Sequence, residues 1–152
     1  MRRREAYERI DEIRNEYEAA RFAIRLAISV HRDGPETLLP VEGQGKITIS
    51  QFEMCARNLE ITYTIRLFAG FEGILRDYWL KGRGRTSQPM MEQLLVSIAT
   101  YRTMKEDDLF HAHEVRTYRN ELIHENVRDP RFNFSSCCSH LARYLSWLPL
   151  NW

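Results

Sequence analysis

Cysteine is scarce in this chain: Cys55, Cys137 and Cys138 are the only three among 152 residues. An odd, sparse set with two direct neighbours makes no disulfide framework, so a reduced, cytoplasmic setting is expected. Long apolar runs are missing as well. The longest fall well short of the roughly 20 residues that a membrane-spanning helix needs. The basic opening Met1-Arg2-Arg3-Arg4 leads into Glu5, Glu8, Asp11, Glu12 and Arg14, not into the apolar stretch of a secretory signal. No membrane partner is therefore expected.

Neither sign of charge is in excess. Lysine and arginine total 22, aspartate and glutamate 21, and the formal net charge is +1. That excludes a strongly basic nucleic-acid coat, although not a local basic site. Of the 22 cations, 19 are arginine. Arginine favours planar, two-pronged contacts with carboxylate or phosphate.

Several chemistries also lack their signatures. Lys81-Gly82-Arg83-Gly84-Arg85 does not follow the P-loop pattern. Cys137-Cys138-Ser139-His140 has no second ligand pair at zinc spacing. His111 and His113, two apart on a helix, point about 200° away from each other. No Ser-His-Asp arrangement can be argued. Neither a metal nor a cofactor is expected. There are no internal repeats or low-complexity tracts.

What remains is helical periodicity. With 43% hydrophobic and 28% charged residues, the chain has the composition of a globular domain with a real core. Residues 1–33 read as an N-terminal helix ended by Asp33-Gly34-Pro35. Residues 34–49 read as a linker with room for a small hairpin around Gly43-Gln44-Gly45. A core bundle is expected over 50–150. Its first helix begins at Ser50, with Glu53 completing a capping box, and runs to about Leu80. Ser87 caps the next, with Pro89 in its first turn, and that helix reaches about Arg102. Another spans about Lys105 to Asn126 and is broken by Asp129-Pro130. The last starts at Ser135 or Ser136 and ends at Pro149. The fold class is all-α, one domain over 1–152, with about five helices.

Two charges sit where the pattern is apolar. With Leu109 at zero on a helical wheel, Ala112, Val115, Tyr118, Leu122 and Ile123 fill roughly 180° to 360°, and Arg119 falls at about 280°. In the first core helix, Ile61, Ile65, Phe68, Leu75 and Trp79 form a stripe with Glu72 at its centre. A further face carries Leu59, Tyr63, Leu67, Phe71, Ile74 and Tyr78. A charge on an apolar stripe is costly unless paired, which predicts an ion pair between Glu72 and Arg119. Beside the apolar arc, His113, Thr117, Asn120 and His124 line a polar stripe within about 60°. By helical position alone, Arg119 and His124 diverge by about 140°.

The run Arg119-Asn120-Glu121-Leu122-Ile123-His124, written R-N-x-x-x-H, resembles the motif of the HEPN superfamily of metal-independent ribonucleases and their relatives. Phe71-Glu72-Gly73-Ile74-Leu75-Arg76 is similar to the acidic helix upstream in many members. The likeness would cover about Ser50 to Pro149. It implies a homodimer with two motif helices facing across a two-fold axis and an RNA substrate in the cleft between them. It implies that His124 acts as general base on a ribose 2′-OH, that Arg119 stabilises the phosphoryl charge, and that Asn120 positions one of them. Glu72 would hold Arg119, and Arg116 would bind a flanking phosphate. Lys81, Arg83 and Arg85 would supply weaker RNA contacts. One departure is Asn126, which stands where some HEPN toxins carry a tyrosine modified by their antitoxin. Many members are non-catalytic interaction modules, held by an antitoxin or another regulatory protein. That alternative, and a helical nucleotide-binding protein, remain open at this point.

Overall fold

The computed structural model describes residues 1–33, 48–124 and 132–152. Among these, five α-helices make an all-α bundle: α1 (Arg3–Asp33), α2 (Ile49–Asp77), α3 (Met91–Arg102), α4 (Glu106–Ile123) and α5 (Phe134–Leu145). The hairpin expected in the linker and the Asp129-Pro130 break lie outside the described residues.

The helix starts correct three expectations. Thr48, not Ser50, caps α2. Its side chain accepts from Gln51 N–H while the Gln51 side chain accepts from Thr48 N–H, a reciprocal box two residues early. Helix α3 begins at Met91 behind Met90, without a side-chain cap, so neither Ser87 nor Pro89 lies inside it. Asn133 caps α5 by accepting from Ser136 N–H and Ser136 Oγ–H. In each case several capping-competent residues lie close together, and tertiary packing decides which of them turns the chain.

Helix α2 does not stop at Asp77. It widens into one π-helical turn, Tyr78–Gly82. Gly82 is required there: a Cβ would lie 2.7 Å from both the Tyr78 ring and Trp152 Cβ. Helix α3 ends on Thr103 in the left-handed conformation (φ 49°).

Helices α1 and α2 form a long antiparallel pair. Their register is shown by Tyr17 against Tyr63 and by Arg66 bonded to Glu16. At the far end Arg32 pairs with Glu53. Helix α5 runs antiparallel to α1, with Tyr7 Oη–H donating to Ala142 O and the Phe134 ring tilted against Tyr17. Helix α4 packs on α5 and α2, and α3 closes one end. The core gathers Ile10, Ile13, Leu67, Phe68, Phe71, Ile74, Leu95, Ile98, Val115, Leu141 and Tyr144. Two polar ties cross it. Tyr144 Oη–H donates to Leu95 O at 2.8 Å, and buried Asp108 accepts from Trp147 Nε1–H at 2.8 Å.

The α1–α2 pair is longer than the bundle it anchors. From Glu18 to Arg32 and from Thr48 to Tyr63 no residue is buried. Phe22, Leu26 and Met54 are more than half exposed there. No helix among the described residues is long and apolar enough to cross a membrane.

Candidate functional site

Helix α4 buries Asp108, Ala112, Val115, Tyr118 and Leu122. These positions recur at three- and four-residue spacing and define one face. Arg119 lies within that arc, as its position on the wheel requires, and is half-buried. Its surroundings differ from expectation. The guanidinium carbon lies 5.9 Å from the centre of the Phe68 ring on α2, and Nη1–H donates to Asn120 Oδ1 at 3.0 Å. Its Nε is buried and has no hydrogen-bond partner.

The expected Glu72–Arg119 ion pair is not formed. Glu72 Oε1 instead accepts from Arg76 Nε–H at 2.8 Å, with Arg76 Nη2 at 2.6 Å. Two facts explain the exchange. Arg76 follows Glu72 by four residues on the same helix and needs no tertiary contact to reach it. Glu72 also keeps 29% of its side chain exposed, although Phe68 and Leu75 on the same stripe are fully buried, so it is a partly solvated group that does not need a buried partner. Arg76 also donates through Nη1 to Pro89 O at 3.2 Å, which ties α2 to the start of α3.

Arg116 lies one turn before Asn120. Its Nη2–H donates to Glu92 Oε2 on α3 at 3.3 Å, and its Nε is also buried without a partner. Helix α4 thus carries two half-buried guanidinium groups, each with an unsatisfied N–H. His113 sits beside them. Burial lowers its pKa, Arg116 lowers it further, and Glu92 opposes both. His124 is the C-cap of α4 and is exposed; its backbone N–H donates to Asn120 O. Asn120 therefore touches both ends of the motif, through its side chain to Arg119 and through its carbonyl to His124. Among the described residues, the Arg119 and His124 side chains share no hydrogen bond. Asn126 lies outside the described residues.

The glycine-rich turn is engaged within the fold. Lys81 Nζ pairs with Asp77 at 2.5 Å, Arg83 stacks on Tyr101 with its guanidinium carbon 3.1 Å from the ring centre, and Arg85 lies 6.0 Å from the Trp79 ring. His111 and His113 serve different neighbours. The His111 ring stacks on His140 of α5 at 4.3 Å, whereas His113 adjoins Arg116.

Sequence reasoning passed over a second cluster. Tyr17, Glu18, Arg21 and Arg25 of α1, Arg57 and Glu60 of α2, and Asn133 at the start of α5 line a cleft of about 510 Å³. The available signal was Tyr17, Arg21 and Arg25 at four-residue spacing, a ridge that puts two like charges one turn apart.

No protein-family profile, no curated protein and no solved structure matches this chain.

Proposed function

We propose that the protein is a metal-independent endoribonuclease of the kind its R-N-x-x-x-H motif resembles, working as a homodimer. The observation that carries this reading is Arg119. It is half-buried, its Nε–H is unsatisfied, and its hydrogen-bonded neighbour is a neutral amide instead of a carboxylate. A guanidinium with no carboxylate partner among the described residues and with a free donor suits an incoming anion, and a phosphodiester matches its planar fork. His124, exposed five residues on, takes a proton from a ribose 2′-OH in this reading. The oxygen attacks the adjacent phosphorus, the P–O5′ bond breaks and the leaving 5′-oxygen takes a proton from water, giving a 2′,3′-cyclic phosphate and a 5′-OH, while His124 returns its proton to solvent. Arg119 stabilises the charge that builds on the phosphoryl oxygens. Asn120 holds the guanidinium, and Arg116 is available to a flanking phosphate. By helical position Arg119 and His124 diverge by about 140°, so the complete site uses Arg119 from one copy and His124 from its mate. Ile123, 42% exposed beside His124, offers that mate an apolar contact.

The same divergence favours a second reading, a non-catalytic helical interaction module bound by a regulatory protein. Incubating the purified protein with mixed RNA in EDTA separates the two. The nuclease reading expects cleavage with 2′,3′-cyclic phosphate ends, loss of cleavage in His124→Ala, and no action on an all-DNA analogue. Cleavage of DNA, or inhibition by EDTA with rescue by Mg²⁺, overturns the mechanism. Intact RNA at every protein concentration favours the module.

A further inference from the structure

The cleft between α1, α2 and the start of α5 does not belong to the motif helix. It arises because the α1–α2 pair projects past the first turn of α5 and leaves a step. Tyr17, Arg21 and Arg25 line it from α1, Ala56, Arg57 and Glu60 from α2, and Phe134 from α5. The charges within it are unevenly matched. Glu60 is committed: its Oε1 accepts from Phe134 N–H at 3.0 Å, capping α5. Glu18 reaches Arg21 only at 3.5 Å. Among the described residues neither Arg25 nor Arg57 makes an ion pair. Three guanidinium groups and two carboxylates therefore line one concave surface, which leaves it a net positive charge and leaves two of the guanidinium groups without an ion pair among the described residues.

The remaining lining is of a different kind. Tyr17 and Phe134, with ring centres 4.2 Å apart, and Leu59 and Ala56 give the cleft an apolar wall. Asn133 and Ser135 add polar groups at its rim. A volume of about 510 Å³ is several times what a bare phosphate occupies and falls in the range of small-molecule sites. The shape asks for an anionic head on a larger, partly apolar body. Arginine forks match phosphate oxygens two at a time and also lie flat against a heterocyclic base.

We propose that this cleft binds a phosphate group carried on a nucleotide, either free or within an RNA strand, with Arg25 and Arg57 as its principal contacts. The site stands independently of the nuclease reading, because binding here needs no cleavage.

Isothermal titration of the full chain, in EDTA and at low salt, tests it with four probes: adenosine monophosphate, adenosine, inorganic phosphate and a short single-stranded RNA. Arg25 and Arg57 are exposed, so Arg25→Gln/Arg57→Gln removes charge without opening the core, and an unchanged thermal midpoint verifies this. Binding of the monophosphate or of the RNA should weaken by about tenfold or more in the double variant, and rising salt should weaken it too. The two sources separate by affinity. A free-nucleotide site binds the monophosphate at least as tightly as the RNA, and a strand site binds the RNA far more tightly. The proposal is overturned if neither the monophosphate nor the RNA binds, if the double variant binds both as the wild type does, or if adenosine or inorganic phosphate alone binds equally well.

Discussion

At the scale of single residues, charge position is decided by which neighbour is nearest in sequence. Arg76 takes Glu72 because an i,i+4 partner on the same helix is always within reach, and Arg119 is left to Phe68 and Asn120. The wheel placed Arg119 correctly on the buried arc of α4. It could not show that Glu72, on a stripe with fully buried Phe68 and Leu75, keeps 29% of its own side chain exposed and turns to Arg76. The arrangement makes a quantitative prediction. With side chains 29% and 32% exposed, the Glu72–Arg76 pair is a partly solvated one. Glu72→Gln should cost about 1 kcal/mol or less. Since Arg119 does not share that carboxylate, Glu72→Gln and Arg119→Ala should add to within about 0.5 kcal/mol in a double-mutant cycle followed by urea unfolding. A coupling above about 1 kcal/mol would mean that Glu72 holds Arg119 in solution after all.

At the scale of elements, the five helices were legible from apolar residues at three- and four-residue spacing, sharpest in α5 and weakest in α4, and from the breakers between them, while their starts were less so because caps are cheap and interchangeable. Thr48, Ser50, Asn133, Ser135 and Ser136 are all competent cap residues, and a difference of about 1 kcal/mol or less chooses among them. The arginine cleft was not legible. It needs α1, α2 and α5 side by side, and no pattern within one helix announces that. The unequal length of the elements has its own consequence. The α1–α2 pair beyond Tyr17 and Tyr63 buries no residue, while Leu67–Leu75 on the same helix is packed on the core. Helices of this length gain most of their stability from packing. Amide exchange should therefore be faster across 20–32 and 49–60 than across 67–75 and 137–145, by on the order of a hundredfold or more. Uniform protection along α2 in hydrogen-exchange mass spectrometry would show that the projecting pair is covered in solution, as by a second copy. A nucleotide in the cleft should slow exchange around Arg21, Arg25 and Arg57 selectively.

At the scale of the whole molecule, acid should act in two separate windows. His140 is held below its ordinary pKa by burial, by the stacked His111 ring and by Arg143. His113 is held low by burial and Arg116, against the opposing pull of Glu92. Both groups lower the proton affinity of the folded state relative to the unfolded one. Above the unfolded histidine value of about 6.5 both states are neutral there and nothing is lost. As pH falls through that value toward the folded pKa, the unfolded chain takes up protons that the folded chain refuses, so stability declines. The carboxylates behave differently. Glu16 is lowered by its bond to Arg66. At Asp77 burial works upward, but Lys81 and Trp152 outweigh it and the value is lowered. Their stabilising contribution is present above the ordinary carboxylate range and is lost only as pH falls through it toward the folded values. The thermal midpoint should accordingly fall in a first step between about pH 6.5 and 5 and in a second below about pH 4.5. Substituting His113→Gln and His140→Gln should flatten the first step and leave the second. His140 sits where α4 meets α5 and His113 where α4 meets α3, so the first step reports loosening around α4, the helix that carries Arg119 and His124. If the double variant keeps the full decline between pH 6.5 and 5, those two rings do not govern acid stability in that window.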